Sequence, residues 1–358
     1  CDIDEKVLSC LGLIKNAKRP VIIFGAGVAI AKAQKKIKKL AAKLGIPFLL
    51  TWGAKDIWEN SHQMNIGGIG VAGPRYGNLA AQNSDLIIAI GTRLSQMITG
   101  GKLEYFGREA KKVIVDIDIE EIRKFKGKGI EIDLAIQSEI HSFVDSFDSQ
   151  LEGYEQPDYA VWLKQIDRWK TSFPLVASKN SESKKEVDAY VFVDALSDEC
   201  KEGSIILTDA GGNLTWVMQA FKVKKGQRLF SAWNHSPMGY SLAAACGASF
   251  ADKSKDVICV IGDGGLQMCI EELATIARHQ LPIKVFLFNN HGHGIQKNTL
   301  NTWLDGRYEA VDYDSGLYFP DFNKVAAAYN IKAVNIDTHE KLNSKIREVL
   351  VNPGPIFC

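Results

Sequence analysis

The stretch that decides the fold is VICVIGDGGLQMCIEELATIARHQLPIKVFLFNNHGHGI, residues 257–295. Its first run, Val257 to Ile261, is apolar and too short for a helix, which is typical of a buried strand. Gly262-Asp263-Gly264-Gly265 follows, and the apolar spacing from Leu266 to Gln280 predicts a helix. A second buried strand is predicted from Ile283 to Phe288. The stretch therefore predicts a strand–helix–strand unit of a parallel α/β sheet.

Two polar side chains follow the ends of these strands. Asp263 comes after the first strand and Asn290 after the second. Because neighbouring parallel strands end at the same edge of a sheet, the carboxylate and the amide should share one crevice beside a helix N-terminus. Mg²⁺ prefers oxygen ligands, with substrate phosphates and water completing its shell. The pattern therefore predicts a magnesium–phosphate site, and a plain glycine turn followed by a loop is the structural alternative.

The Gly262-Asp263-Gly264 turn, the helix and strand after it, and Asn289-Asn290 resemble the thiamine diphosphate motif of the acetolactate synthase-like enzymes. The resemblance implies Mg²⁺ held by Asp263, Asn290 and the carbonyl group of Gly292. It also implies that thiamine diphosphate binds here and that this half of the chain has the thiamine diphosphate-binding fold.

Two earlier segments resemble other cofactor-binding parts of this family. Thr208 to Asn213 resembles the diphosphate-side turn, and Asn213 as the N-cap of the next helix is the structural alternative. Ser231 to Tyr240 resembles the segment whose methionine holds the cofactor bent, a role that falls to Met238. The cofactor-binding residues implied by the resemblance are Gly211, Gly212, Asn213, Ser236, Met238, Gly262, Asp263, Gly264, Gly265, Asn290, Gly292, Gly294 and Ile295.

The resemblance implies decarboxylation of a 2-oxo acid, pyruvate in the first place, and transfer of the two-carbon unit to an acceptor. His293 is a candidate for contact with phosphate or substrate, whereas the activating glutamate of the family is expected on an N-terminal domain outside this sequence. Thr299 stands where acetolactate synthases carry a tryptophan. A 2-oxo acid decarboxylase, a lyase and a sugar-pathway carboligase therefore stay open, as does a regulatory or nucleotide-binding subunit that is not an enzyme.

The first 150 residues predict a second doubly wound parallel sheet of Rossmann-like type. Its predicted strands are 21–24, 48–51, 86–90 and 113–115. Gly25-Ala26-Gly27 follows the first strand, but Ile30 occupies the third glycine position of the dinucleotide fingerprint. The segments RPVIIFGAGV, GIPFLLT, NSDLIIAIGTRL and KKVIVDIDIEEI resemble the central domain of the acetolactate synthase-like enzymes in the same order.

Acetolactate synthases hold an FAD in this domain. The residues at the corresponding turns are Gly25, Gly27, Gly91, Arg93 and Asp116. The family's histidine, acidic and basic residues nearby are replaced here by Ala72, Ser95, Gln96 and Met97. Because these replacements remove charge-assisted contacts, FAD, an empty crevice and a different occupant all stay open.

Composition along the chain indicates where the two domains are joined. The polar segment 151–186 predicts a linker between a domain at 1–150 and a domain at 187–358.

A net charge of +1 with interspersed signs argues against nucleic acid as a partner, and no apolar run has membrane-spanning length. Seven scattered cysteines are typical of a reduced, cytoplasmic protein. We expect part of a longer polypeptide that acts on small molecules as a homodimer or homotetramer, as the family resemblance implies.

Overall fold

The chain folds into two compact units, Cys1–Pro174 and Leu175–Cys358. The structure is a computed structural model that describes residues 3–176, 186–233 and 235–358. The division between the units falls inside the predicted linker 151–186, whose polar stretch 177–185 lies outside the described residues. The domain bounds at 150 and 187 stay a prediction.

The first unit is a parallel sheet flanked by helices. Its described strands are β1 (Pro20–Phe24), β2 (Phe48–Leu50), β3 (Asn65–Gly68), β4 (Leu86–Ile90), β5 (Lys111–Asp116) and β6 (Leu134–Gln137). Its described helices are α1 (Ile3–Asn16), α2 (Gly27–Ile30), α3 (Gln34–Leu44), α4 (Arg75–Gln82), α5 (Gln96–Thr99), α6 (Ile119–Arg123), α7 (Ile140–Ser149) and α8 (Ala160–Ser172). The described strands pair in parallel in the order β3–β2–β1–β4–β5–β6. Every residue of β1 and β4 is buried, because helices cover both faces of the sheet.

The apolar runs predicted the four central strands of this sheet but missed its edges. β3 ends in Gly67-Gly68 and β6 is only partly buried, so neither has the continuous apolar run of a central strand. The chain between β1 and β2 forms two separate helices, α2 and α3. Lys32 between them has a φ of 55°, a left-handed conformation that interrupts helical hydrogen bonding.

The second unit has the same architecture. Its described strands are β7 (Ile205–Thr208), β8 (Arg228–Phe230), β9 (Val257–Gly262), β10 (Ile283–Phe288), β11 (Lys332–Ala333) and β12 (Ile356–Phe357). Its described helices are α9 (Ala189–Glu199), α10 (Gly212–Ala220), α11 (Tyr240–Ala251), α12 (Asp263–Gln267), α13 (Glu272–His279), α14 (Gly294–Trp303), α15 (Phe322–Ala328) and α16 (Leu342–Val351). The described strands pair in parallel in the order β11–β12–β10–β9–β7–β8. The predicted fold class, two doubly wound parallel-sheet domains, is therefore confirmed.

One helix of the deciding stretch differs from its prediction. The spacing predicted a single helix from Leu266 to Gln280, whereas α12 and α13 are separate and α12 already begins at Asp263. The amides of Met268, Cys269 and Glu272 donate to carbonyl groups three residues earlier. These tighter turns interrupt the α-helical ladder, although the apolar period continues through them.

The interior of the second unit is built around β9. Val257, Cys259 and Ile261 point into one apolar cluster with Leu242 of α11 and Ile276 of α13. None of the helices in the described part of the chain has the length and the apolar character needed to cross a bilayer.

Lys55 is a buried amine in the first unit. It is 8 % exposed, and burial lowers its pKa to about 8. An unfolded lysine has a pKa of about 10.4, so between these values the unfolded chain binds more protons than the folded chain. The free energy of unfolding should therefore rise as pH increases from about 8 to about 10.

In Lys55→Met the free energy of unfolding should no longer increase between about pH 8 and 10 through this group. At neutral pH it should be higher than in wild type by up to about 3 kcal/mol, because no buried amine has to be kept charged. Urea unfolding at neutral and alkaline pH measures both effects. Lys35→Met, on the exposed face of α3, is the control and should keep the wild-type pH dependence. An unchanged pH dependence in Lys55→Met would contradict the prediction.

Candidate metal and phosphate site

The four motif segments of the second unit follow four neighbouring strands. In the order β10–β9–β7–β8, each strand runs parallel to the next, so all four carboxyl ends lie at one edge of the sheet. The register of β9 and β10 pairs Gly262 with Phe288. Asp263 and Asn289 are therefore the next residues of two adjacent strand ends. Ligands of open α/β sheets bind at this edge.

Asp263 is a buried carboxylate that binds the neighbouring turn. Its Oδ1 accepts from the N–H of Gly264 at 2.7 Å, and its Oδ2 accepts from the N–H groups of Gly292 at 3.1 Å and Asn290 at 3.2 Å. Burial raises the pKa of Asp263 above its ordinary value, and these N–H groups oppose the rise. A divalent cation would supply the missing countercharge to this carboxylate.

The side chain of Asn290 brings a third polar group to Asp263. One end of its amide lies 3.2 Å from Oδ2 of Asp263 and 2.8 Å from the carbonyl oxygen of Gly292. If that end is nitrogen, it donates to both oxygens. If it is oxygen, three oxygens face one another, and this arrangement is stable only around a cation.

The oxygen set fits Mg²⁺ better than a transition metal. One carboxylate, one amide oxygen and one peptide carbonyl are hard ligands, and imidazole is not favoured by Mg²⁺. Within the described residues, no group of three or more His, Cys, Asp or Glu side chains could hold a metal ion.

A loop that is distant in sequence fixes the Gly292 turn. Gly292 forms an antiparallel bridge with Asp312, and the N–H of His293 donates to the carbonyl of Val311 at 2.9 Å. Nζ of Lys297 lies 2.7 Å from Oδ2 of Asp312, which clamps the start of α14 to this loop. Lys297, Val311 and Asp312 had no signal in the sequence, because the loop belongs to no motif and its approach depends on tertiary folding.

Gly264 lies next to the side chains of two predicted site residues, His293 and Met238. A Cβ on Gly264 would lie 2.4 Å from Cε1 of His293 and 3.0 Å from Cε of Met238. His293 and Met238, which are 55 residues apart in sequence, therefore meet over this glycine. Met238 is 40 % exposed, so one side of this pair is open to a ligand.

The turn after β7 packs against the turn after β9. Asn213 is buried, its oxygen accepts from the hydroxyl of Thr208 at 2.9 Å, and its nitrogen donates to the carbonyl of Ala210 at 2.9 Å. The same nitrogen would lie 3.5 Å from a Cβ on Gly262. The N-cap of α10 is Gly211, so the alternative in which Asn213 caps this helix is wrong. Asn213 shapes the turn, and its ligand contact stays a prediction.

The remaining predicted residues lie around these turns. Gly265 lies in the first turn of α12, Gly294 begins α14, and Ile295 is exposed in the first turn of α14. Gly212 is covered by the ring of Trp216. Ser236 has a φ of 36° and donates to the carbonyl of Trp233. Asn234 of the same segment lies outside the described residues.

The glycine turns of the first unit pack against each other. A Cβ on Gly25 would lie 2.2 Å from the carbonyl oxygen of Gly91, and one on Gly27 would lie 2.8 Å from Cα of Gly91. Close backbone packing therefore explains these glycines without a bound nucleotide. Nη1 of Arg93 lies 3.8 Å from Oε1 of Glu121, and Oδ1 of Asp116 accepts from the N–H of Asp118. FAD in this unit stays a prediction.

Both units have the strand-end turns that are typical of α/β proteins that bind phosphorylated cofactors. The family model for the C-terminal TPP binding domain of thiamine pyrophosphate enzymes matches residues 209–358. The model for the central domain of thiamine pyrophosphate enzymes matches residues 7–147. The chain belongs to the thiamine pyrophosphate enzymes, and the resemblance found in the sequence is confirmed.

Curated relatives support the same assignment. The acetolactate synthase large subunit of Cyanidium caldarium is 31% identical over 96% of this chain and 58% of its own length. The probable acetolactate synthase large subunit of Methanocaldococcus jannaschii is 31% identical over 96% of this chain and 57% of its own length. Acetolactate synthase 1, chloroplastic, of Zea mays is 30% identical over 98% of this chain and 54% of its own length. The chain thus spans less than two thirds of each of these relatives.

Gly264→Ala tests the contact between His293 and Met238. The new methyl group must displace both side chains, so we expect at least about a ten-fold loss of affinity for thiamine diphosphate and about 1–3 kcal/mol lower stability. Fluorescence titration and urea unfolding measure the two effects. Gly247→Ala is the control, because a Cβ on Gly247 of α11 meets open space. Equal cofactor affinity in wild type and Gly264→Ala would contradict this geometry.

Proposed function

We propose that the second unit binds thiamine diphosphate through Mg²⁺ held by Asp263, Asn290 and the carbonyl oxygen of Gly292. The observation that carries this proposal is the convergence of these three groups at adjacent strand ends. The same strand edge carries the Gly211 turn and Met238, which supports a ligand that is longer than a phosphate. The match to a TPP binding domain supports thiamine diphosphate as that ligand.

The chain's own residues would hold the two ends of the cofactor in different ways. The cation and the glycine-rich helix starts would neutralise the diphosphate, because both present positive charge to it. The apolar Met238 side chain would support the rings, with Ile295 next to the thiazolium. When bound, thiamine diphosphate supplies a carbanion nucleophile and an electron sink for decarboxylation.

For the whole protein we propose decarboxylation of a 2-oxo acid, pyruvate in the first place, and transfer of the two-carbon unit to an acceptor. The similarity to acetolactate synthase large subunits supports a transferase of the acetolactate synthase type. His293 borders the open side of Met238 and is the residue of this chain that we expect to contact phosphate or substrate. The glutamate that activates the cofactor is expected on a segment outside this chain.

The acceptor is the least constrained part of the proposal. Thr299 is exposed on α14 and its hydroxyl donates to the carbonyl of Ile295 at 3.1 Å. Where acetolactate synthases have a tryptophan, this small side chain leaves space, which keeps a sugar-pathway carboligase as the second candidate. We further propose a cytoplasmic homodimer or homotetramer whose ligands are small molecules.

Asp263→Asn tests the cation site. An amide cannot supply the carboxylate charge, so we expect affinity for Mg²⁺ and thiamine diphosphate to fall by at least about a hundred-fold. Calorimetric titration of the full-length protein, with and without Mg²⁺, measures this loss. Asp252→Asn is the control, because Asp252 follows α11 and its carboxylate accepts from the N–H and the hydroxyl of the nearby Ser254. Equal binding by wild type and Asp263→Asn would overturn the metal assignment.

Isotope-labelled pyruvate tests the reaction. The proposal predicts labelled carbon dioxide from the carboxyl carbon and a labelled two-carbon unit in a larger product when the correct acceptor is present. Acetaldehyde as the sole product would indicate a simple decarboxylase. Cofactor binding without pyruvate turnover in the full-length protein, across 2-oxo acids and acceptors, would favour the regulatory subunit.

A further inference from the structure

Asp209 is a second buried carboxylate at the same strand edge, and no motif assigned it a role. It directly follows β7 and its exposed fraction is 0%. Its Oδ2 accepts from the N–H of Gly239 at 3.0 Å, and its Oδ1 accepts from the N–H of Ser241 at 3.0 Å. Burial raises the pKa of Asp209, and these two N–H groups oppose the rise.

Through these hydrogen bonds Asp209, which follows β7, caps the N-terminus of α11, which follows β8. Gly239 is the N-cap of α11, and a glycine has no side chain that could accept from the first N–H groups of the helix. The carboxylate of Asp209 does so instead, and it also offsets the positive end of the helix. The start of α11 is thereby occupied by a protein carboxylate, which leaves the diphosphate to the turns after β7 and β9.

Met238 is the residue directly before this capped start. The left-handed Gly239 turns the chain so that Met238 leaves the helix, and Asp209 holds that turn at the N–H of Gly239. Asp209 also contacts the GDGG turn, since a Cβ on Gly265 would lie 2.2 Å from its Oδ2. The Asp209 carboxylate therefore contacts both the turn at Met238 and the turn at Gly264, and it holds the two turns at a fixed distance from each other.

We propose that Asp209 is a positioning residue that holds Met238 at the ring-binding side of the cofactor site. This inference rests on the proposed function, because the role of Met238 depends on a bound thiamine diphosphate. In this proposal Asp209 acts through Met238, because its carboxylate accepts from the N–H groups of Gly239 and Ser241, which start the helix after Met238. Its loss should therefore affect recognition of the thiamine rings and spare recognition of magnesium diphosphate.

Asp209→Asn is the decisive substitution because it keeps the shape of the side chain. The N–H groups of Gly239 and Ser241 bind different oxygens of the carboxylate. An amide replaces one of these oxygens by nitrogen, so in this geometry a donor must face one of the two N–H groups. We expect affinity for thiamine diphosphate to fall about ten-fold or more, whereas affinity for magnesium pyrophosphate should change less than about two-fold. Calorimetric titration of the full-length protein with each probe measures this difference.

A double-substitution cycle separates positioning from general damage. In the background of Met238→Ala, Asp209→Asn should cause little further loss of thiamine diphosphate affinity, because the side chain that it positions is already gone. Full additivity of the two substitutions, or an equal loss of both probes in Asp209→Asn, would overturn the proposal. Thermal unfolding of each variant shows whether it is folded.

Asp188→Ala is the matched control. Asp188 caps α9 by accepting from the N–H groups of Tyr190 and Val191, and α9 carries none of the motifs. Its loss should lower the unfolding temperature and leave the affinity for both probes unchanged. If wild type bound neither probe, or if Asp263→Asn bound both as wild type does, the proposed function itself would fail. That outcome differs from the selective loss expected for Asp209→Asn.

Discussion

The register between β9 and β10 is the constraint on which the site depends. Pairing of Gly262 with Phe288 ends the two strands side by side, so the Asp263 carboxylate reaches the backbone N–H groups of Asn290 and Gly292. A shift by one residue would turn these polar groups and the buried Val260 and Phe286 to the opposite faces. The apolar faces of the two strands therefore fix the position of the oxygens that we propose as metal ligands.

The site concentrates buried negative charge in a way that a stable fold alone does not require. Asp209 and Asp263 are both buried and both have raised pKa values because of that burial. Backbone N–H groups of the described residues satisfy their oxygens, but partial charges of this kind neutralise only part of the negative charge. Such a pair costs stability in the free protein. Binding of Mg²⁺ beside Asp263 would recover part of that cost, which couples cation binding to stability.

The sequence allowed prediction of the parts of the fold and site that depend on local patterns. Continuous apolar runs predicted the central strands, and glycine turns with Asp263 and Asn290 predicted which strand ends meet. The edge strands β3 and β6 were missed because weak burial leaves no apolar run. Asp209, Lys297 and Asp312 were missed because their roles come from contacts across 15 to 32 residues, such as the 2.7 Å ion pair of Lys297 with Asp312.

The most direct test of the central claim is anomalous diffraction from crystals grown with Mn²⁺, a substitute for Mg²⁺, and thiamine diphosphate. The account predicts one strong peak about 2.1–2.3 Å from Oδ of Asp263, Oδ1 of Asn290 and the carbonyl oxygen of Gly292, with diphosphate oxygens completing the shell. Cofactor density without a cation among these three oxygens, or a cation bound elsewhere in the unit, would contradict it.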